Sequence, residues 1–536
     1  MNILGLYSGF SINNHDPGAS LIRDGRVIAV CEEERFSRIK SSRGLLPIRS
    51  IRSCLGQAGL KISDIDLVVS PGETLEHLAD KIAAYLKHYF GSCPPIRLVN
   101  HQTAHLASAF FPSGFEKAMC MSYDNSGDRL SGEFAIGESR QLKVISTIDN
   151  RNSLGRFYAL MTQFLGFEAG EDEYKVMGLA PYGNSRYDLS DIVRPTPDGY
   201  LFNSAYFRDL PPVTSVYEPF YSEKLVKLLG RPRLPGEPID QRIKDIAFST
   251  QQALEACAIS LVTKLHADTG LDDLCIAGGV ALNCSANGKL SQLPFVRRLF
   301  VQPAASDRGL ALGCALLGAY DAGQKVDTLE HVYCSGPEYG TAEIAEAIKL
   351  SGLKYEEQPD PSGTAAEMLA DGKIIGWFQG RSEFGPRALG HRSILADPRR
   401  ADMKERVNAR IKFREEFRPF APAVLEERAE DYFDMPGASP FMTVAYAVHD
   451  QQRSAIPAVT HVNGTARVQT VGRATSPEFH SLIERFGEIT GVPVVLNTSF
   501  NLRGQPIVES PADAIATFAA SGMDATFMGP FLIKKL

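Results

Sequence analysis

One pattern occurs twice in the first half of this 536-residue chain: a strand, a polar loop and then a hairpin. The first copy begins with the apolar stretch Asn2–Tyr7 and continues to the Asp24-Gly25 pair, which is a strong hairpin turn signal. The second copy begins about 115 residues later with the strand-like residues 118–123, which lead into Asp124 and a hairpin pattern over residues 132–145. The two copies share little sequence identity, but their common order indicates an internal duplication.

Length and composition predict two domains. A chain of 536 residues exceeds what one hydrophobic core usually organises, and 44% of its residues are hydrophobic. The helix and strand patterns are interrupted at CSGPEYG, residues 334–340. We therefore expect one domain over residues 1–340 and a second over residues 341–536.

Charge and hydropathy exclude several classes of function. The formal net charge of −7 gives no general attraction to nucleic acid or anionic lipid. The longest apolar runs, such as residues 311–320, are about half the length of a membrane span. Residues 1–7 contain no Lys or Arg, so they do not have the pattern of a signal peptide. The nine scattered cysteines form no CxxC pair, which favours a reducing cytoplasm. We expect no nucleic-acid or membrane partner, and the sequence leaves the oligomeric state open.

Two histidines four residues apart form the first candidate site. Residues 100–111 predict a helix with Asn100 as its N-cap. This helix places His101 and His105 on one face, where they could ligate one metal ion. Asp124 follows a strand and Asp307 precedes a Gly-containing turn, so each could add a carboxylate. Two His and two Asp would suit Fe(II), Mn(II) or Zn(II). The alternatives are a structural histidine pair, and helix capping or turn formation by the two acids.

Glycines and cations indicate two places for a phosphate. Gly278 and Gly279 stand between a strand and a helix, where backbone N–H groups can meet an anion, although close packing explains such a pair equally well. Residues 373–418 contain 12 Lys and Arg against 6 Asp and Glu, although the net charge of the whole chain is negative. Arginine forks and lysines bind phosphate oxygens. The candidates for this second place are Arg387, Arg392, Lys412, Arg414, Arg418, Arg467 and, after the last strong strand, Asn497. The alternative is surface ion pairing with nearby acids such as Asp397, Glu415 and Glu416.

The chain resembles the O-carbamoyltransferase family of nodulation-factor and antibiotic biosynthesis over nearly its whole length. The most specific stretches are EFGPRALGHRSILADPR (383–399), FREEFRPFAPAVL (413–425), NTSFNLRGQPIVESPADA (497–514), KVMGLAPYG (175–183) and GGVALNC (278–284). This resemblance implies an α/β protein with a duplicated ASKHA-type (actin/hexokinase-like) N-terminal domain, similar to the transferase that makes threonylcarbamoyladenosine in tRNA. It implies a YrdC-like α/β C-terminal domain.

The resemblance also implies a two-step reaction. Carbamoyl phosphate and ATP, with Mg(II), would give carbamoyl adenylate in the second domain. The carbamoyl group would then pass to a hydroxyl of a small-molecule acceptor in the first domain, with Fe(II) as the metal. The implied metal ligands are His101, His105, Asp124 and Asp307. The implied activation site is Arg387, Lys412, Arg418, Arg467 and Asn497, and the glycines near the adenylate are Gly155, Gly278 and Gly279.

Transfer also needs a base to take the proton of the acceptor. The candidate catalytic residues are Asp124 and His15, which lies in an HDPGA loop and could instead stabilise a turn. Arg308 and Leu310 flank Gly309, where smaller or more polar residues would suit a phosphate better, so the detail of that loop departs from expectation. The competing functions are a tRNA threonylcarbamoyl-type transferase and a non-catalytic ASKHA nucleotide-binding module, and the identity of the acceptor stays open.

Overall fold

The computed structural model describes residues 1–10, 14–139, 141–208, 218–326 and 334–535. The chain divides into two compact units. Unit 1 consists of Met1–Pro71, Leu75–Val99 and Asp307–Leu536, and unit 2 consists of Gly72–Thr74 and Asn100–Ser306. Unit 1 thus joins the first and last parts of the chain, and the predicted domain limits of 1–340 and 341–536 stay a prediction.

Unit 1 begins with a five-stranded sheet. Its strands are β1 (Asn2–Tyr7), β2 (Gly18–Arg23), β3 (Arg26–Glu32), β4 (Leu67–Pro71) and β5 (Ile96–Val99), and its first helices are α1 (Glu33–Ser37), α2 (Ile48–Ala58) and α3 (Leu78–Phe90). The strand order is β3-β2-β1-β4-β5, with β1 antiparallel to β2 and parallel to β4. One face of the sheet packs on α2 and α3 through fully buried side chains that include Leu4, Ile51 and Ile82. The hairpin at Asp24-Gly25 is as predicted.

Unit 2 contains a second five-stranded sheet with the same topology. Its strands are β6 (Lys117–Gly127), β7 (Leu130–Glu138), β8 (Gln141–Asp149), β11 (Asp273–Ala277) and β12 (Arg298–Val301), and a separate hairpin pairs β9 (Val193–Thr196) with β10 (Gly199–Phe202). The order β8-β7-β6-β11-β12 reproduces that of the first sheet, with two antiparallel pairs followed by two parallel pairs. The internal duplication and the ASKHA-type fold are therefore confirmed.

Six helices accompany the second sheet in the described part of unit 2. They are α4 (His101–Phe110), α5 (Leu154–Phe164), α6 (Glu173–Leu179), α7 (Glu223–Leu229), α8 (Gln241–Thr269) and α9 (Cys284–Ser291). The predicted helix over residues 100–111 is α4, and its N-cap is Asn100 as expected. Along the described ranges, no helix has both the length and the apolar character required to cross a membrane.

The rest of unit 1 returns to the first sheet and then builds a third. Helix α10 (Leu310–Asp321) packs so closely on β1 that a Cβ at Gly5 would lie 1.9 Å from the carbonyl oxygen of Ala311. The further helices are α11 (Thr341–Ser351), α12 (Pro361–Ala370), α13 (Met403–Val407), α14 (Pro477–Thr490) and α15 (Pro511–Ala519). The further strands are β13 (Glu356–Glu357), β14 (Ile375–Phe378), β15 (Arg392–Ala396), β16 (Ala421–Leu425), β17 (Phe433–Asp434), β18 (Ala445–Val448), β19 (Thr465–Arg467), β20 (Gln469–Val471), β21 (Val494–Ser499), β22 (Ala525–Met528) and β23 (Phe531–Lys534).

These strands form two sheets. Eight of them make a mixed sheet in the order β13-β23-β22-β14-β15-β21-β16-β20, and β17, β18 and β19 make a small antiparallel sheet. Helices α12 and α14 cover the large sheet through a core that contains Trp377, Phe486 and Phe527, all fully buried. This part of unit 1 has the mixed α/β structure that the resemblance implies, and its separation as a C-terminal domain stays a prediction.

Candidate functional site

Helix α4 is fixed in place by polar contacts at its first turn. The Asn100 side chain accepts hydrogen bonds from the backbone N–H groups of Gln102 and Thr103, at 2.9 and 3.4 Å. The Asp128 carboxylate accepts the N–H of His101 at 2.8 Å. The Gln102 side chain accepts a hydrogen bond from Ser122 of β6 at 2.8 Å, which ties the helix to the strand. The two histidines of α4 therefore have a defined position beside the end of β6.

His101, His105 and Asp124 come together in unit 2. The Nε2 atoms of the two histidines lie 3.4 and 3.7 Å from Asp124 Oδ2, and the ring centroids are 4.9 Å apart. All three side chains are at most 8% exposed. Two ligand atoms that are each about 2.1 Å from one metal ion and about 90–110° apart are separated by about 3.0–3.4 Å. The observed separations are close to that range, so these residues fit a metal ion.

A glycine makes room for the first of these histidines. A Cβ at Gly127 would lie 2.2 Å from Cγ of His101, so a larger residue would displace the ring. Asp307, the fourth predicted ligand, is buried and is the first residue of the last chain segment of unit 1. Within unit 1 it begins a short 3₁₀ turn, Asp307–Gly309, and accepts a hydrogen bond of 2.6 Å from the hydroxyl of Tyr7.

The glycines predicted to lie near an adenylate surround Asp124. The backbone N–H of Gly279 donates to Asp124 Oδ1 at 2.8 Å, which leaves Oδ2 directed towards the histidines. Gly278 has φ of +90°, and a Cβ there would lie 2.3 Å from the carbonyl oxygen of Tyr123. A Cβ at Gly155 would lie 2.7 Å from the backbone of Asn125. Each glycine thus has a packing reason of its own, and a role in adenylate binding stays a prediction.

His15 lies in unit 1 beside an acidic neighbour. Its Nδ1 atom is 3.1 Å from Asp16 Oδ2. Burial alone would lower the pKa of His15, but the hydrogen bond and the charge of Asp16 outweigh it and raise the pKa to about 9. A general base must be deprotonated at the working pH. In this state the imidazolium is better suited to donate to an anion than to accept a proton.

Lys412 is the most unusual cation of the C-terminal part. It ends a π-helical turn, Asn408–Lys412, and is 5% exposed. Its ammonium donates to the carbonyl oxygen and hydroxyl of Ser499 and to the carbonyl and side-chain oxygens of Asn501, the last at 2.7 Å. Burial, and then the charges of Arg414 and Arg418, hold the pKa of Lys412 well below its usual range. These four hydrogen-bond acceptors are neutral oxygens, so an anionic ligand would stabilise the charged form of Lys412.

Further cations extend this group, which we call the cation cluster: Lys404, Lys412, Arg414, Arg418 and Arg467, with the uncharged imidazole of His461 near Lys404 and Arg467. Burial, then the charges of Arg467 and Lys404, lower the pKa of His461 to about 3. Burial, and then the charge of Arg414, lower the pKa of Lys404. Lys412 and Arg418 from one segment and Arg467 from another thus belong to one connected set of mutually repelling groups. Arg418 also pairs with Glu415 at 3.6 Å, as the ion-pairing alternative expected. A polyanion would relieve that repulsion.

The loop that carries Arg387 is organised by a carboxylate that the sequence analysis did not single out. Oε1 of Glu383 accepts hydrogen bonds from the backbone N–H groups of Leu389, His391 and Arg392, at 2.8, 2.8 and 3.0 Å. Arg387 itself is partly buried at the centre of this loop. The acid at the start of this Gly- and Pro-rich motif, six residues before Leu389, is the sequence signal that could have identified Glu383 as the residue that organises the loop.

Asn497 holds the same loop from the sheet. Its side-chain N–H donates to the carbonyl of Ala388 at 3.2 Å and to the side chain of Gln469 at 2.8 Å, and Gln469 in turn donates to the carbonyl of Leu389 at 2.8 Å. Arg392 has a different role from Arg387. It is fully buried and donates to the backbone carbonyls of Glu509, Gln379, Gly380 and His391. Its guanidinium carbon lies 3.7 Å from the ring centroid of Phe378. Arg392 therefore stabilises the fold, and a ligand-binding role of Arg387 stays a prediction.

Arg308, whose place beside a phosphate loop was unexpected in the sequence, forms ion pairs with buried carboxylates of unit 1. It forms ion pairs with Asp16, Glu32 and Glu34 at 3.0, 3.3 and 3.1 Å. The side chain is therefore neutralised within unit 1, and its charge is not left beside the turn that begins at Asp307.

The fold and these two sites define a duplicated ASKHA-type α/β protein with a candidate metal centre and a separate cationic site. Family models described as the carbamoyltransferase N-terminus and the carbamoyltransferase C-terminus match residues 3–92 and 76–316, and residues 366–535. The chain belongs to the carbamoyltransferase family, and it is an enzyme of that class.

Three curated relatives show how far the similarity extends. Nodulation protein NolNO of Sinorhizobium fredii is 42% identical over 97% of this chain and 79% of its own. Nodulation protein NolO of Bradyrhizobium diazoefficiens is 41% identical over 82% of this chain and 79% of its own. Nodulation protein U of the same organism is 27% identical over 93% of each chain. Among solved structures, full-length HypF in a phosphate- and nucleotide-bound form has a TM-score of 0.39 and 12% identity, over 61% of this chain and 56% of its own.

Proposed function

We propose that this protein is an ATP-dependent O-carbamoyltransferase that works in two steps. The C-terminal domain forms carbamoyl adenylate from carbamoyl phosphate and ATP with Mg(II), and the N-terminal domain passes the carbamoyl group to a hydroxyl of a small molecule. The acceptor is a sugar or another secondary metabolite, such as an antibiotic precursor. The observation that carries the proposal is the cation cluster around Lys412 in a chain of the carbamoyltransferase family.

The first step needs two polyanions side by side. Carbamoyl phosphate is cleaved by water to carbamate and phosphate, and a carbamate oxygen then attacks the α-phosphorus of ATP and expels pyrophosphate. Lys412, Arg418 and Arg467 supply cations from two segments, and Arg387 adds another from the loop that Glu383 and Asn497 hold. Such preorganised charges stabilise transferring phosphoryl groups without reorganisation during the reaction.

The second step takes place at Asp124. The acceptor oxygen attacks the carbamoyl carbon, the bond to the AMP oxygen breaks, and the acceptor proton leaves to a base. His101, His105 and Asp124 would hold the metal, with Asp307 as the proposed fourth ligand and Fe(II) as the proposed ion. A bound metal supplies a Lewis acid for the charge that develops on the carbonyl or phosphate oxygen. The N–H of Gly279 keeps Asp124 oriented for that task.

The test is pyrophosphate release from ATP by the purified protein, with and without carbamoyl phosphate, in the absence of any acceptor. We expect release that depends on carbamoyl phosphate. Arg387→Ala should abolish it, because Arg387 is a proposed cation of the phosphate site. His101→Ala should retain it and block only transfer. Loss of transfer alone in both variants would overturn this division of labour, and no release from folded wild-type protein with Mg(II) and Fe(II) present would overturn the proposed first step.

A further inference from the structure

A buried group of charges lies beside the turn that begins at Asp307. Arg308 follows Asp307 in this turn, and its guanidinium pairs with three carboxylates. The Nη2 atom lies 3.0 Å from Asp16 and 3.1 Å from Glu34, and the Nε atom lies 3.3 Å from Glu32. None of these four side chains is more than 10% exposed. The turn is therefore held by its neighbour through interactions that water does not screen.

The same carboxylates also pair with a second arginine. Arg35, at 3% exposure, lies 2.7 Å from both Glu32 Oε2 and Glu34 Oε1. Its Nη2 atom donates to the carbonyl of Gly385, and the N–H of Gly385 donates to Glu32 at 3.3 Å. Gly385 has φ of +108° and stands two residues before Arg387. Both backbone groups of Gly385 are thus fixed by this charge group.

We define the coupling network as Asp16, Glu32, Glu34, Arg35 and Arg308. Three carboxylates and two guanidiniums alternate in it, so each arginine bridges acids that the other arginine also uses. In a buried group of this kind, a shift of one partner leaves a charge without compensation, which is strongly unfavourable. Displacement of one end of the network therefore requires displacement of the other.

We propose that the coupling network is a positioning device that links the turn carrying Asp307 to the loop carrying Arg387, so that occupancy of the carbamoyl phosphate site changes the affinity for the metal ion. This inference rests on the proposed function. All the atoms in the argument belong to unit 1. None of the five residues is proposed to contact a reactant, so their effect passes through Asp307 and Gly385.

Linkage makes the proposal measurable without knowledge of the acceptor. If carbamoyl phosphate changes the affinity for a metal ion, the metal changes the affinity for carbamoyl phosphate by the same factor. We would titrate the full chain with Mn(II) as the probe, following the electron paramagnetic resonance signal of free Mn(II), with and without saturating carbamoyl phosphate. We expect wild-type Kd values for Mn(II) that differ by at least about fivefold between the two conditions.

Three variants decide whether the network carries this effect. Arg35→Lys keeps the charge but cannot bridge two acids and Gly385 together, and Glu32→Gln keeps the shape and removes one carboxylate. Both should reduce the ratio of Kd values to within about twofold while still binding each ligand. Arg23→Lys is the matched control, because Arg23 is an arginine of the same unit whose guanidinium donates to the side chain of Asn2 and to the carbonyl of Ala58, outside the network. It should keep the wild-type ratio.

Each outcome has a fixed meaning. A wild-type ratio near one, or a ratio that Arg35→Lys and Glu32→Gln leave unchanged, would overturn the coupling proposal while leaving the proposed function intact. Failure of wild-type protein to bind carbamoyl phosphate would instead overturn the proposed function and this inference with it. If Arg35→Lys fails to fold, as thermal unfolding would show, Glu32→Gln decides the question, since its side chain fills the same volume.

Discussion

Replacement of Lys412 by methionine separates ligand binding from folding. Methionine keeps an unbranched chain of similar length and removes the ammonium, which donates to Ser499 and Asn501. The variant leaves buried acceptors without that donor, at a cost of about 1–3 kcal/mol each. It also removes a buried charge that burial and two arginines disfavour. Because these effects oppose each other, we expect the free energy of unfolding without ligand to change by less than about 2 kcal/mol.

The effect on the ligand has no such compensation. A hydrogen bond to a charged group contributes about 1.5–3 kcal/mol, and about 1.4 kcal/mol corresponds to a factor of ten. Lys412→Met should therefore raise the KM for carbamoyl phosphate by about 10- to 150-fold.

The assay is pyrophosphate release over a range of carbamoyl phosphate concentrations, with urea unfolding measured on the same samples. Lys535→Met is the matched control: Lys535 also donates to backbone carbonyls, of Ala519 and Ser521, and burial also lowers its pKa, but it lies outside the cation cluster. An unchanged KM in Lys412→Met, or an equal rise in Lys535→Met, would refute the assignment of Lys412 to the anion site.

Three further predictions concern the metal, the glycine turn and a buried acid. His105→Ala should lose bound metal, measured by elemental analysis after dialysis, whereas the exposed control His77→Ala should retain it; retention in both would contradict the metal site. Gly278→Ala should lower the free energy of unfolding in urea by about 3 kcal/mol or more, because strain at positive φ adds to a contact of 2.3 Å, whereas Gly270→Ala, whose Cβ would meet open space, should lose only about 1 kcal/mol. Burial raises the pKa of Glu509 from 4.5 to about 7 against the opposing charge of Arg392, so wild-type stability should fall as pH rises between these values. Glu509→Gln should therefore match wild type below pH 4.5 and be more stable by about 3 kcal/mol at pH 8 in urea unfolding, and an equal difference at both pH values would contradict this origin.

The sequence predicted those parts of the fold whose signals are local. The Asp24-Gly25 turn and the α4 helix with its Asn100 cap each depend on neighbours in the chain, and each is observed. The duplication was also visible, because strand order is repeated even though sequence identity is not. The convergence of His101 and His105 on Asp124 could be expected from a helix face and a strand end.

The supporting residues could not be predicted because their partners are distant in sequence. Glu383 stabilises its loop by accepting hydrogen bonds from three backbone N–H groups, and the local sequence does not show that the loop folds so that these groups meet the carboxylate. Asp128 fixes α4 by accepting the N–H of His101, and it also accepts the N–H groups of residues 72–74. Arg308 looked misplaced beside a phosphate only because its three carboxylate partners lie about 275–290 residues earlier in the chain.

The basic stretch 373–418 shows why charge alone could not decide between a solvated face and a ligand site. Both interpretations apply, to different residues. Arg399, Arg400 and Arg410 form ion pairs with Asp397, Asp402 and Asp524 at 2.8–3.2 Å, as a solvated or structural surface would. Arg418 likewise pairs with Glu415 at 3.6 Å. Lys404, Lys412 and Arg414 also act on one another, and burial and this repulsion lower the pKa values of the two lysines, although the charges of Glu416 and Glu405 oppose the shift at Lys404. A fold tolerates that repulsion at a cost in stability, so its presence within a carbamoyltransferase chain favours a phosphate-bearing ligand as the partner that the sequence left unassigned.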